Sequence, residues 1–363
     1  MKNTFGNNIS ITLFGESHGE AIGCVLDGIA PGVEVDEDFI ASQMEKRKGI
    51  NAISTPRREA DKVRILSGVF EGKTTGTPIA LMIENQTQHS KDYSDTKDLA
   101  RPSHADYTAE CKYHGYQDYR GGGHFSGRIT APIVAAGAIC LKALSKKGIE
   151  IGTHISSCAG IKDRDFGDLA EDIALLRNME MPVLCSKASE DMLSAIENAR
   201  NEGDSLGGKL TTAVIGMPAG VGEPWFDTVE GMLSHALFSI PAVKGVEFGL
   251  GFGFSDKKGS EANDEFAMIN GSVQTKSNNN GGINGGITNG MPIVFSCAIK
   301  PTPSIFKQQN TVNFKTNEDA VLDIKGRHDP AIIHRARVVV DSVTALTLCD
   351  LLATRFGTYW LGE

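Results

Sequence analysis

No two cysteines in this 363-residue sequence stand at C-x-x-C spacing; the seven lie at 24, 111, 140, 158, 185, 297 and 349. An odd, scattered set excludes a disulfide framework and a zinc ribbon, so reduced, mostly buried thiols in a cytoplasmic protein are expected. No H-E-x-x-H grouping occurs, the one H-x-E spelling (His18 to Glu20) has no C-x-x-C pair to complete it, and no metal site is expected. Positive charge is not in excess either: 36 Lys and Arg face 45 Asp and Glu, giving a net charge of -9. Such a field repels nucleic acid and anionic membranes, and a small anionic ligand would need a local basic pocket. The opening segment MKNTFGNNISI is polar and lacks the apolar core of a secretory leader. No apolar run is expected to reach the roughly 20 residues that span a bilayer.

Nucleotide-binding signatures are missing as well. GVFEGKT (68–74) is one residue short of a P-loop, and the strand-like TGTPIALMIE that follows contains Pro78, whereas a P-loop opens a helix. GLGFGF (249–254) and GGGHFSG (121–127) both miss the G-x-G-x-x-G spacing and its strand–turn–helix setting. A hairpin turn is the expected form of the first, and no Rossmann site is expected from the others.

What the chain does have is glycine, 41 residues of it in short runs, and one dense polar stretch at 101–128, RPSHADYTAECKYHGYQDYRGGGHFSGR. Arg101, Arg120 and Arg128 supply planar donors for phosphate or carboxylate. His104 and His124 carry the one side chain whose ordinary titration lies near neutrality. Gly121, Gly122 and Gly123 let the backbone take positive φ or approach a ligand closely. Any one of these alone would suit a surface loop; together they read as an anion site where protons are moved. GESHG (15–19) places His18 at a turn after a strand. Ser17 sits centrally in a G-x-S-x-G spelling, but strand-like residues 22–27 follow instead of the helix a nucleophile elbow requires. Lys46, Arg47, Lys48, Arg57 and Arg58 form a second basic group, KPTPS (300–304) ends a strand with a cation and hydroxyls, and KGRHDP (325–330) gathers Arg327, His328 and Asp329.

Hydrophobic patterning predicts strands at 9–14, 23–26, 63–69, 79–83, 210–215, 246–249 and 293–299, and helices at 36–48, 130–147, 189–202, 228–238 and 341–355. The Ala- and Gly-rich 130–147 helix is expected in the middle of the fold. Residues 255–289, rich in Ser, Asn and Gly, read as loop. GIAPGVEVDEDF (28–39) faintly echoes GMPAGVGEPWF (216–226), a weak sign of a duplicated half. Strands fall in groups, which favours α+β over a doubly wound sheet.

GESHG, RPSHADYT, DYRGGG-x-x-S-G-R-x-T and GRHDP, in this order, resemble the chorismate synthase family, with similarity from about residue 4 to residue 352. The resemblance implies one single-domain β-α-β sandwich, residues 1–363, with helices layered between antiparallel sheets, assembled as a homotetramer. It implies a lyase of the shikimate pathway, eliminating phosphate from 5-enolpyruvylshikimate 3-phosphate to give chorismate, with reduced FMN as cofactor and no net redox change. Site residues follow by motif position. His18 would protonate the departing phosphate, His104 would hydrogen-bond or protonate the flavin, and Asp329 would manage a flavin proton. Arg47, Arg58, Arg101, Arg128 and Arg327 would hold substrate. Phe125, Ser126, Gly127, Ala242, Gly285, Lys300, Pro301, Thr302, Pro303, Ser304 and Arg327 would hold FMN. His124 stands where many members carry Arg, and Pro241 where an amide is common. Without a dinucleotide fingerprint for NADP, a flavin reductase or other external source of reduced flavin is the expected partner.

Overall fold

The computed structural model describes residues 2–50, 61–86, 97–324 and 329–363. Helices and antiparallel sheets are mixed, as an α+β chain requires. The first sheet runs, in spatial order, Thr4–Phe5, Ser10–Gly15, Ala21–Asp27, Ile79–Glu84 and Val63–Ile65, every pair antiparallel. Alternation puts Ile22, Cys24 and Leu26 on one face, opposite Ile83, Leu81 and Ile79, and all six are buried. The second sheet runs Ile161–Lys162, Glu150–Cys158, Gly208–Ile215, Ile293–Ile299 and Val243–Phe248, again antiparallel throughout.

The two sheets share one topology. In each, the main strands lie in the order first, second, fourth, third, with a two-residue edge strand beside the first. A helix follows the second strand, Glu37–Glu45 in one half and Val229–Ser239 in the other, and a long helix follows the fourth, Thr130–Lys146 and Ile333–Phe356. The faint sequence echo marks equivalent positions. Gly28 and Gly216 follow the second strands at φ +83° and +82°, where a Cβ would meet the Asn8 carbonyl at 1.9 Å or the Gly148 carbonyl at 2.0 Å. Only glycine fits either place.

The Thr130–Lys146 helix packs on the first sheet, Ile333–Phe356 packs on the second, and the two helices pack on each other. Every residue from Thr130 to Cys140 is buried. Their contact is close because Gly137 has no side chain: a Cβ there would lie 2.3 Å from Cβ of Ser342. Contrary to the expectation from apolar runs, Gly127–Lys146 is long and apolar enough to cross a membrane, yet 78% of its most apolar window is buried inside the protein. It is a core helix.

Other boundaries differ for local reasons. The expected 63–69 strand divides at Gly68, φ +80°, into Val63–Ile65 and a hairpin strand Val69–Phe70 paired with Lys73–Thr74. The loop expected at 255–289 contains two hairpins, Phe266–Ile269 with Ser272–Thr275 and Ile283–Asn284 with Ile287–Thr288. The Asp264 carboxylate accepts from the Asn279 and Asn280 amides at 2.8 Å and anchors the turn between them. Polar composition hid the pairing. The helix expected from 341 begins at Ile333, extending the core element by two turns.

Candidate active site

Two equivalent connections, each running from a fourth strand into a core helix, meet at one place. Residues 85–129 supply the dense polar stretch and 300–332 the Lys-Pro-Thr-Pro-Ser corner. The Ala100 amide donates to the Val312 carbonyl at 3.1 Å, the Phe314 amide to the Asp98 carbonyl at 3.1 Å. Lys300 Nζ donates to the carbonyl of Ser103, beside His104.

At the centre, Gly121, Gly122 and Gly123 hold φ of +59°, +82° and +53° in succession. This left-handed turn lets side chains approach from both sides. A Cβ on Gly121 would lie 2.1 Å from His18 Cε1, and one on Gly122 would lie 3.6 Å from His104 Cε1. The two imidazoles expected to handle protons therefore flank adjacent residues of one loop. His18 itself is only 4% exposed. The Gly123 carbonyl accepts from the Ser17 amide at 3.1 Å, and His124 Nδ1 lies 2.8 Å from the Gly15 carbonyl. These contacts strap the glycine run to the Gly-Glu-Ser-His-Gly turn. That turn leads into the Ala21–Asp27 strand, so the nucleophile-elbow geometry is missing, as the sequence indicated. Asp118 closes the other side: Arg120 donates to it from Nε at 2.9 Å and Nη2 at 2.8 Å, which lowers its carboxyl pKa.

Arg101, His104 and Asp106 form a compact triad at the start of the Asp106–Tyr113 helix. Arg101 Nε and Nη2 donate to Asp106 at 2.8 and 2.7 Å, while His104 Nδ1 lies 3.1 Å from Asp106 Oδ1 and 3.0 Å from Arg101 Nη2. Burial pushes the Asp106 carboxyl up, but hydrogen bonds from Arg101 and His104 outweigh it and hold the group far below the usual carboxylate range. With Nδ1 engaged there, His104 presents Nε2 toward Gly122.

Arg47 and Arg128 share one carboxylate. Asp61 Oδ2 accepts from Arg47 Nη1 at 3.1 Å, and Asp61 Oδ1 accepts from Arg128 Nη1. Arg47 Nη2 also donates to the Gly127 carbonyl and to Thr130 Oγ1, both at 3.2 Å. Arg128 Nε donates to Asn85 Oδ1 at 2.8 Å, and Asn85 Nδ2 reaches the Glu16 and Gly19 carbonyls at 3.1 and 2.9 Å. The pair of guanidinium groups is thereby tied to the turn that carries His18. Arg58 and Arg327 lie outside the described residues.

Of the residues expected to hold flavin, most gather near these groups. Phe125, Ser126 and Gly127 follow the glycine run, and a Cβ on Gly127 would meet open space. The Lys300 amide donates to the carbonyl of Ala242, which holds φ +76°. Thr302 Oγ1 is buried with no hydrogen-bond partner among the described residues, and Ser304 is 6% exposed. Ser205 Oγ donates to the Thr302 carbonyl at 2.7 Å and the Leu206 amide to the Pro330 carbonyl at 2.7 Å, which brings Asp329 close to this corner. Asp329 pairs with Arg335 at 2.9 Å. Gly285 is the exception. Its neighbour Gly286 accepts from the Val229 amide at the start of the Val229–Ser239 helix, while Ala242 lies beyond the helix end, roughly 16 Å along. Within one chain Gly285 does not join the others.

A cavity of about 350 Å³ reaches His124, Ser126 and Pro241 from an apolar interior that includes Phe5, Ile133 and Leu346. His18, His104 and Lys300 do not line it. The polar groups instead form the surface where the two connections meet. Sequence reasoning missed Asp61, Asn85, Asp106 and Asp118 as partners. Asp106, two residues after His104, was open to a spacing argument; Asp61 and Asn85 come from separate connections, and nothing local distinguishes them.

The family model described as chorismate synthase matches residues 9–353. Chorismate synthase of Pyrococcus abyssi is 47% identical over 350 residues, covering 96% of this chain and 97% of its own. That of Lachnoclostridium phytofermentans is 49% identical over 352 residues, covering 96% and 94%. A crystal structure of chorismate synthase superposes with a TM-score of 0.76 at 30% identity, covering 97% of this chain and 94% of that one. With a fold and motif set matched over nearly its whole length, the chain belongs to the chorismate synthase family.

Proposed function

We propose that the protein eliminates phosphate from 5-enolpyruvylshikimate 3-phosphate in a 1,4-anti sense to give chorismate, with reduced FMN required and no net redox change. The observation that carries the reading is the seating of His18 and His104 against adjacent glycines, between a guanidinium pair and the Lys300 corner. Family membership supports the chorismate-forming activity and its place in the shikimate pathway.

The substrate brings a phosphate of about −1.5 to −2 charge and two carboxylates. Arg47, Arg101 and Arg128 would grip these groups, with Arg58 and Arg327 added by motif position, each charge-assisted contact contributing about 1.5–3 kcal/mol. His18 would deliver a proton to the departing phosphate. A phosphate bound beside an imidazole favours its protonated form. The substrate thus helps to charge its own acid. His104, oriented through Nδ1 by Asp106, would hold a hydrogen bond at Nε2 toward the flavin. Asp329 would manage a proton on the other side.

The residues present fit a flavin phosphate: an ammonium at Lys300, a buried hydroxyl at Thr302 wanting a partner, Ser304, and room beside Gly127. When bound, reduced FMN supplies electron density that weakens the C–O bond to phosphate and recovers it as hydrogen leaves. Phe125, Ser126, Ala242 and Lys300–Ser304 are its proposed contacts. The sheet, two helices and second sheet in contact support one β-α-β sandwich domain. Large exposed apolar side chains, Trp225 at 86% and Phe226 at 94%, support burial by further copies in a tetramer. A cytoplasmic setting with flavin reduced by another protein completes the proposal.

The test is phosphate and chorismate release from the enolpyruvyl substrate under anaerobic conditions. The reading requires turnover with reduced FMN and none with oxidised FMN; wild-type protein that binds the substrate but never releases phosphate would be a phosphate-ester binding protein instead.

A further inference from the structure

Asp61 offers a positioning role. It is a non-glycine residue held at φ +36°, in the strained left-handed region, at the exit of the 49–62 connection. Its side chain is 10% exposed, between guanidinium groups that are 13% and 9% exposed. Each carboxylate oxygen takes one arginine, so the Asp61 charge stands between two cations that would otherwise repel at close range. Each guanidinium is also held from a second side, Arg47 by the Gly127 carbonyl and Thr130, Arg128 by Asn85.

We infer that Asp61 is a positioning residue: a shared counter-anion that fixes the spacing and orientation of Arg47 and Arg128 so that they meet the substrate's anionic groups as a preformed pair. The inference rests on the reading that these two arginines receive the substrate. Asp61 touches neither His18 nor His104 in the contacts described, so its effect falls on binding. Preformed geometry matters because a guanidinium free to swing must be reordered at each encounter.

The experiment measures substrate Kd by calorimetry with oxidised FMN present, where the proposed reaction does not run, and KM and kcat with reduced FMN. Asp61→Asn keeps the size and removes the charge. Kd and KM are expected to rise by about tenfold or more, with kcat changed less than about threefold and the pH profile of kcat unmoved. Asp61→Glu retains the charge one methylene further out, and a rise of roughly threefold is expected; it decides the matter if Asp61→Asn does not fold. Unchanged Kd in the variant that folds would overturn the proposal. Tighter binding would overturn it too, since Asp61 would then be a competitor of the substrate. Absence of wild-type turnover sinks the functional reading, whereas wild-type turnover with unmoved Kd in the variants sinks only the role of Asp61.

Discussion

Gly121 and His18 share a contact that leaves no room for a methyl group: a Cβ on Gly121 would stand 2.1 Å from Cε1 and 2.3 Å from Nδ1 of the imidazole. Because Gly121 also holds φ +59°, its lack of a side chain is needed twice. Gly121→Ala should displace His18, adding backbone strain of about 1–3 kcal/mol. Turnover is expected to fall by about 100-fold or more while circular dichroism stays native. Wild-type kcat in this variant would separate His18 from the loop.

His18→Ala and His104→Ala test the proton roles. Each should lose about 10² to 10⁴ in turnover, the usual worth of a positioned acid or base, with thermal unfolding little changed. Full activity in either removes that imidazole from the mechanism.

Asp106→Asn tests the carboxylate that orients His104 and Arg101. The folded pKa of Asp106 is depressed, so its stabilising effect is present above the unfolded value near 4 and fades as pH falls below it. The variant should therefore unfold more easily than wild type at pH 7, with the gap narrowing in acid. A gap that stays constant from pH 7 downward would contradict the pairing.

The pattern of legible and hidden features follows from what sequence patterning can carry. The aliphatic residues of 23–26 announced a strand, and the Ala and Gly of residues 130–147 announced close helix packing. The glycine run and its neighbouring Arg and His were visible as a polar cluster because they adjoin in the chain. Asp61 and Asn85 were not, since Asp61 comes from another connection and Asn85 stands 43 residues before Arg128, so only the fold brings them to it. The hairpins within 255–289 were hidden by Ser, Asn and Gly, whose backbones pair without an apolar signature. Gly285 and Ala242 stand at opposite ends of the Val229–Ser239 helix, a separation that motif order along the chain does not reveal.

Lys46 makes a stability prediction at the alkaline end. Burial, with Arg337 nearby, lowers its pKa to about 8. The unfolded chain then binds more protons between pH 8 and the ordinary lysine value near 10.4, so stability from this group rises with pH across that window. Lys46→Met should flatten the rise, which has a limiting slope of about 1.4 kcal/mol per pH unit, as followed by urea unfolding at several pH values.

His334 acts at the acid end. Burial lowers its pKa to about 3, so the unfolded state takes up a proton near pH 6.5 that the folded state refuses. Stability should decline from pH 6.5 toward 3, and His334→Gln should lessen the decline in the same unfolding series. An identical acid limb in both proteins would rule out this source.

The most direct test is a crystal structure of the protein with FMN and the enolpyruvyl phosphate both bound. The account predicts the phosphate within hydrogen-bonding reach of His18 and the isoalloxazine ring beside His104, with Lys300 and Thr302 on the flavin side. Ligands seated in the apolar cavity by Phe5 and Leu346, with both imidazoles remote from them, would contradict it.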